Sequence, residues 1–380
     1  MLPRPYVLLS CATSADGYLD DASPRRLILS GPADLDRVDG VRAGFDAILV
    51  GAGTIRADDP RLLVRDPRRR ARRAARGLPE DLARVTLTAT GDLDPRARFF
   101  TPGAPRLVYC ATPALSAARA RLSDAAVLID AGDPLSLEFL LSDLAERRVL
   151  RLMVEGGARV LGEFLACDLA DELHLAVAPF FVADPAAPRL DIPPNPSDPD
   201  NPMTLAEVRR LDDVVLLTYL LGPGGPDHRF LRWAVELSRL SPPSPSAFSV
   251  GAVIVAEDGQ VLATGFSREQ EEHDHAEEVA LRKLGPDWRL KRATLYSSLV
   301  PCGARASRPV TCVQHIVKAG IPRVVFAWRE PVLFTAGEGA EQLRAAGVTV
   351  IEVPELAARA QAVNAHLVGQ PGTAGARPGA

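Results

Sequence analysis

Five consecutive residues, Gly222-Pro223-Gly224-Gly225-Pro226, limit what this chain can fold into more than any other feature. Glycine weakens helix and ladder alike, and each proline removes a backbone donor. No regular element can run through such a segment, so two units are expected, residues 1–222 and 227–368, joined by a linker at 223–226. Asp191–Met203, rich in Pro and Asp, reads as a long surface loop, and residues 369–380 as a disordered tail. The chain has 380 residues, enough for two full-sized cores, and its 47% hydrophobic and 24% charged content is that of a globular protein.

A net charge of −4 gives no general affinity for nucleic acid or for an anionic membrane. The apolar run from Tyr6 to Ala12 is too short to span a bilayer and lacks a signal-peptide layout, so a cytoplasmic location is expected. Five cysteines, an odd and sparse set, argue against a disulfide framework. Cys11, Cys110 and Cys167 lie in or beside apolar runs and read as packing residues.

Periodicity gives the architecture. In the first unit, apolar β-type runs at Tyr6–Ser10, Ala47–Val50, Arg106–Tyr109, Ala126–Asp130, Leu150–Glu155, Leu173–Ala178 and Val214–Leu221 alternate with helical stretches at Pro32–Ala43, Leu135–Arg147 and Ala158–Cys167. The order, with antiparallel-looking strands last, predicts an α/β sandwich. The second unit reads as helix Asp227–Leu240, strands Val250–Ala256 and Val261–Gly265, helix His275–Leu284, strand Thr294–Ser298, helix Cys312–Ala319, strand Arg323–Ala327, helix Gly337–Ala346 and strand Val348–Val353. That is a three-layer α/β/α pattern, hairpin strands first and parallel-type crossovers after.

The second unit carries the clearest chemistry. His275-Ala276-Glu277 opens a predicted helix, Pro301-Cys302 follows a strand, and Cys312 opens the next helix. His275, Cys302 and Cys312 make the three-ligand donor set of a catalytic zinc site, with a fourth position left for water. Glu277 stands too close to His275 to be a natural further ligand and is placed to shuttle a proton. This H-x-E, then P-C, then Cys pattern resembles the cytidine-deaminase-like superfamily. Nine residues separate the two cysteines, a long insert found in the riboflavin-pathway pyrimidine deaminases. Ala293-Thr294-Leu295-Tyr296 before the site and Ala319–Val325 after it fit that branch. Two positions depart from it: Ala247 stands where many members have Asn, and Val300 where many have Glu, both expected on the substrate side. His273 reads as a solvated histidine at the helix start.

In the first unit, Ala47–Thr54 is a strand running into Gly-x-Gly, but Arg56 occupies the third glycine of a dinucleotide fingerprint. More informative are Ser14-Ala15-Asp16-Gly17, Arg42, Thr54, Arg56-Ala57-Asp58-Asp59-Pro60, Arg65 and Val154-Glu155-Gly156-Gly157. In order and spacing they resemble, over residues 5 to 222, the reductase domain of the bifunctional riboflavin-biosynthesis deaminase/reductase family, a dihydrofolate-reductase-like fold using NADPH. Gly156 and Gly157, between a strand and a helix, would let a pyrophosphate approach backbone N–H groups. Arg42 and Arg65 suit a ribose phosphate. The resemblance implies that Thr54, Asp58, Gly156 and Gly157 meet NADPH, that Arg42, Leu62, Arg65 and Glu155 meet substrate, and that Asp58 stabilises a cationic imine as hydride arrives. Arg25–Ser30 stands where the family often has Ser-x-Trp. The basic run Arg68, Arg69, Arg70, Arg72, Arg73 and Arg76 reads as a solvated loop, with an anion or 2′-phosphate site as the alternative.

The resemblance thus implies an N-terminal reductase and a C-terminal zinc deaminase, the reverse of the usual bacterial order. The implied substrates are a diamino-(phosphoribosylamino)pyrimidinone and 5-amino-6-(5-phosphoribosylamino)uracil, with Zn2+ and NADPH as cofactors and a homodimer as the assembly. A secondary-metabolic homologue acting on a related pyrimidine, or a chain with one active domain, are the alternatives.

Overall fold

The computed structural model describes residues 4–23, 27–75, 78–190, 202–222, 224–305, 307–329 and 338–368. The expected tail, most of the Asp191–Met203 loop, and Arg25, Arg26 and Arg76 lie outside them. Contacts divide the chain after Gly222 into two compact units, Met1–Gly222 and Pro223–Ala380.

The first unit runs β1 (Tyr6–Thr13), α1 (Pro32–Arg42), β2 (Ala47–Gly51), α2 (Ala52–Asp58), α3 (Pro67–Ala75), β3 (Ala83–Thr88), β4 (Arg106–Cys110), α4 (Leu115–Leu122), β5 (Val127–Asp130), α5 (Leu137–Glu146), β6 (Arg151–Val154), α6 (Ala158–Ala166), β7 (Glu172–Val177), β8 (Thr204–Leu211) and β9 (Val214–Leu220). The strands form one nine-stranded sheet, ordered β5-β4-β3-β2-β6-β1-β7-β9-β8. It is parallel as far as β7, and β9 then runs antiparallel to both β7 and β8. β2, Ala-Ile-Leu-Val-Gly, is buried throughout, as a strand covered on both faces must be. Its side chains feed two clusters. Leu49 joins Val7, Leu9, Leu152 and Phe164, and Ile48 joins Leu8, Phe99, Val108 and Met153. The expected sandwich is thus a mixed sheet with helices on both faces and an antiparallel hairpin at one edge.

The basic run is not the expected loop. It folds as α3, and three of its arginines are engaged. Arg69 pairs with Asp36 and Asp39 at 2.8 and 2.9 Å, and Arg70 with Glu80 at 2.8 Å. Arg73 is buried and donates to the carbonyls of Pro79, Ala43 and Phe45.

The second unit runs α7 (Pro226–Ser238), β10 (Gly251–Val255), β11 (Val261–Phe266), α8 (Ala276–Leu284), β12 (Thr294–Ser297), α9 (Cys312–Ala319), β13 (Arg323–Phe326), α10 (Gly339–Ala345), β14 (Thr349–Glu352), α11 (Ala357–Val363) and α12 (Ala365–Val368). Its sheet is ordered β11-β10-β12-β13-β14. β10 is antiparallel to its neighbours, and β12, β13 and β14 are parallel. Pro226 belongs to the helix rather than to the linker. It sits in the first turn of α7 after Gly225, where its missing N–H costs nothing. α8 packs closely on β11, since a Cβ at Gly265 would overlap Ala276 O and Ala280 N. That contact fixes the start of α8.

Candidate active sites

The second unit brings three elements to one point. His275 is the N-cap of α8. Cys302 lies in the loop after β12, and Cys312 is the first residue of α9. Thr311 and Gln314 close a capping box there, which locks that helix start. His275 Nδ1 lies 3.5 Å from Cys302 Sγ and 3.3 Å from Cys312 Sγ. The three donor atoms are all within 4.8 Å of one another. A tetrahedron with arms of roughly 2.0–2.3 Å has edges of about 3.5 Å, so this donor set fits zinc. The hydrogen bond from Cys312 holds Cys302 down at about 4, while Cys312 is pushed well up.

Glu277 follows in the first turn of α8 and is 2% exposed. Its Oε1 accepts from Ser297 Oγ at 2.8 Å, and its Oε2 accepts from the Cys312 thiol at 3.3 Å. Burial raises its pKa. It therefore stands beside the three donors as a separate proton acceptor.

Sequence reasoning missed how the long insert is held. Two of its arginines dock on Glu278, Arg305 at 3.1 Å and Arg308 at 2.5 Å. Arg308 also reaches Glu271 and Asp274, and Arg305 donates to the carbonyl of exposed His273. The signal was the Arg-x-x-Arg spacing within the insert. Val300, directly before Pro301-Cys302, is buried with Phe326 and Ala340. Ala247 lies in the loop before β10, its carbonyl and that of Phe248 bonded by Arg268.

In the first unit, a cleft of about 1430 Å³ opens at the carboxyl ends of the central parallel strands, where Gly51, Thr88, Ala111 and Glu155 line it. Crevices at this end of a parallel sheet are where α/β folds bind ligands. Thr54, Asp58, Arg65, Gly156 and Gly157 line it too. Gly156 and Gly157 have φ of +101° and +82°, and Gly157 is the N-cap of α6. A Cβ on Gly157 would lie 3.4 Å from Thr54 Oγ1. This bare, glycine-lined helix start fits the pyrophosphate of a dinucleotide. Arg42 and Glu155 hold each other, with Nε–Oε1 at 2.6 Å and NH2–Oε2 at 2.5 Å, and Arg42 also donates to Leu63 O. Arg65 is more than half exposed and donates to Leu35 O at 2.9 Å. Asp58, half-buried, ends α2. Leu62 adopts φ +54° and buries its side chain in the core beside Ile48 and Phe99. Asp34 and Arg37 also line the cleft. Their one-turn spacing on α1 was readable in the sequence but carried no motif.

Residues 5–217 match the family described as the RibD C-terminal domain. Residues 225–328 match the cytidine and deoxycytidylate deaminase zinc-binding region. The 2,5-diamino-6-ribosylamino-4(3H)-pyrimidinone 5′-phosphate reductase of Archaeoglobus fulgidus is 34% identical over 49% of this chain and 85% of its own length. The diaminohydroxyphosphoribosylamino-pyrimidine deaminase of Schizosaccharomyces pombe is 36% identical over 40% of this chain and 38% of its own. The riboflavin biosynthesis protein RibD of Bacillus amyloliquefaciens is 32% identical over 49% of this chain and 48% of its own. The chain thus spans most of the first relative and less than half of the other two.

Proposed function

This chain belongs to the RibD C-terminal domain family through residues 5–217, and on that premise we propose a bifunctional enzyme of riboflavin biosynthesis. The second unit hydrolytically deaminates a diamino-(phosphoribosylamino)pyrimidinone. The first reduces the ribosyl side chain of 5-amino-6-(5-phosphoribosylamino)uracil to the ribityl form. The observation that carries the reading is Glu277, buried beside the convergent His275, Cys302 and Cys312.

In the deaminase, His275, Cys302 and Cys312 would hold zinc, which supplies a water acidified to a pKa of roughly 7. Glu277, fixed by Ser297, takes a proton from the attacking water and returns it to the departing amine, which leaves as ammonia. In the reductase, bound NADPH would be the source of the hydride that reduces C1′ of the ring-opened sugar imine. Gly156, Gly157 and Thr54 would seat the cofactor. Asp58 would offset the iminium charge until hydride arrives, and Arg65 would hold the substrate phosphate. Arg42 and Glu155 brace each other at the substrate end, and Leu62 would act through its backbone. A cleft of about 1430 Å³ exceeds the roughly 300–1,000 Å³ of a single-ligand pocket and suits cofactor and substrate together.

A second reading, reduction before deamination, is favoured by the Archaeoglobus fulgidus relative, whose name is that of a reductase of the diamino compound. A cytoplasmic homodimer is the proposed assembly. Among the described residues no helix is long and apolar enough to cross a membrane.

The test is metal content with two variants. Protein purified without chelator should carry one zinc per chain, and Cys302→Ser should lose it. Glu277→Gln should keep zinc while deamination falls about 10²-fold or more. Full zinc in Cys302→Ser, or loss of zinc in Glu277→Gln, contradicts the assignment.

A further inference from the structure

The cleft of the first unit has two arms about its glycine cradle. β6, which leads into Gly156 and Gly157, lies between β1 and β2 in the sheet. Toward β1 and α1 the cleft is lined by Arg42, Glu155 and Arg65, the substrate end. In the other direction it is lined at the ends of β3, β4 and β5, through Thr88, Thr90, Ala111 and Asp133. Hydride transfer needs the nicotinamide beside the substrate. A dinucleotide whose pyrophosphate sits at the cradle therefore lays its adenosine along the second arm. NADPH differs from NADH only by a phosphate on the adenosine ribose, and a site that selects it needs a cation there.

Charge selects one wall of that arm. Asp133, after β5, and Glu138, in the first turn of α5, both line the cleft and would repel a phosphate. The basic helix α3 supplies no cation, since none of its arginines lines the cleft. Arg159, at the start of α6, pairs with Glu163 at 3.0 Å. Arg56, on α2, lines the cleft and is exposed. Its NH1 donates to Asp92 O at 3.0 Å, in the turn that follows β3. That bond holds the guanidinium at the turn, while its Nε and NH2 make no hydrogen bond among the described residues. The turn is ordered by its own hydroxyls: Gly91 N donates to Thr88 Oγ1 at 3.0 Å, and Asp92 N to Thr90 Oγ1 at 3.4 Å. The Asp92 carboxylate is taken by Arg121 at 2.5 Å, so it does not oppose an anion beside Arg56. A guanidinium's planar, paired donors match a phosphate. We infer that Arg56 receives the adenosine 2′-phosphate, beside the exposed Thr90, and sets the preference of the reductase for NADPH over NADH. This rests on the reading that the first unit binds NADPH at the glycine cradle.

The experiment uses the full chain and reads binding. Dissociation constants for NADPH and for NADH are measured by calorimetric titration in the unaltered protein, in Arg56→Ala and in Arg56→Gln. The unaltered protein should bind NADPH about 10-fold or more tightly than NADH, the effect of one charge-assisted contact to phosphate. Both variants should lose that preference through weaker NADPH binding, with NADH affinity little changed. Glutamine keeps an N–H for Asp92 O, so agreement between the two variants assigns the loss to the charge and not to movement of the turn. Raising the ionic strength should narrow the preference in the unaltered protein and leave the variants as they are. Equal weakening of both nucleotides in the variants overturns the inference, as does a preference kept in Arg56→Gln. Absence of an NADPH preference in the unaltered protein overturns it too. No binding of either nucleotide overturns the underlying reading, and the inference with it.

Discussion

Asp58 and Arg65 line the same cleft but are assigned opposite kinds of work. A group that acts only as charge develops in the transition state affects turnover, whereas a clamp on a distant phosphate acts largely in the ground state. Asp58→Asn should therefore lose kcat with little change in NADPH affinity, and Arg65→Ala should mainly raise the substrate KM. Steady-state kinetics of both variants, followed by NADPH absorbance, makes the comparison. Near-normal kcat in Asp58→Asn would leave this residue as the turn before Asp59, whose φ of +42° and bonds to Arg98 already mark a structured corner. At this scale the sequence was most informative where chemistry demands one residue type. His275, Cys302 and Cys312, read from the sequence as one donor set, converge within 4.8 Å. Arg42 was less legible. Its guanidinium suits a phosphate, but the sequence could not reveal that Glu155 holds it in a bidentate pair.

Among the elements, α6 positions the glycine cradle, and its start is the most sensitive point. Gly157 needs φ +82°, and any Cβ there comes against Thr54 Oγ1. Gly157→Ala should cost about 1–2 kcal/mol of stability for the left-handed conformation. The NADPH dissociation constant should rise about 10-fold or more, the loss of roughly one well-made hydrogen bond. Calorimetric titration with NADPH measures it, and unchanged affinity would place the pyrophosphate elsewhere. Elements with a clean apolar period were readable: α9 was expected at Cys312–Ala319 and occupies that span. Others were hidden by charge. β3 carries Arg84, whose buried guanidinium donates to the carbonyls of Phe99 and Thr101. β8, Thr-Leu-Ala-Glu-Val-Arg-Arg-Leu, is an edge strand exposed along most of its length and shows no alternation. α3 carries five arginines but forms because Asp36, Asp39 and Glu80 pair with it across the fold, a tertiary fact that no local pattern contains.

For the whole molecule, the glycine- and proline-rich segment at residues 222–226 separates two units, each with its own sheet and its own site. A fragment ending at Gly222 should fold and bind NADPH without the second unit, read by circular dichroism and titration; an insoluble or non-binding fragment would mean that the units depend on each other. On the proposed function, one chain performs both reactions on one pyrimidine. The most direct measurement is mass analysis of products from the diamino 5′-phosphate substrate incubated with the zinc-loaded chain, with and without NADPH. The expected product has exchanged an amino group for oxygen and, only when NADPH is present, has also gained a pair of hydrogens. A product carrying one of these changes but never both, under full zinc and excess NADPH, would contradict it.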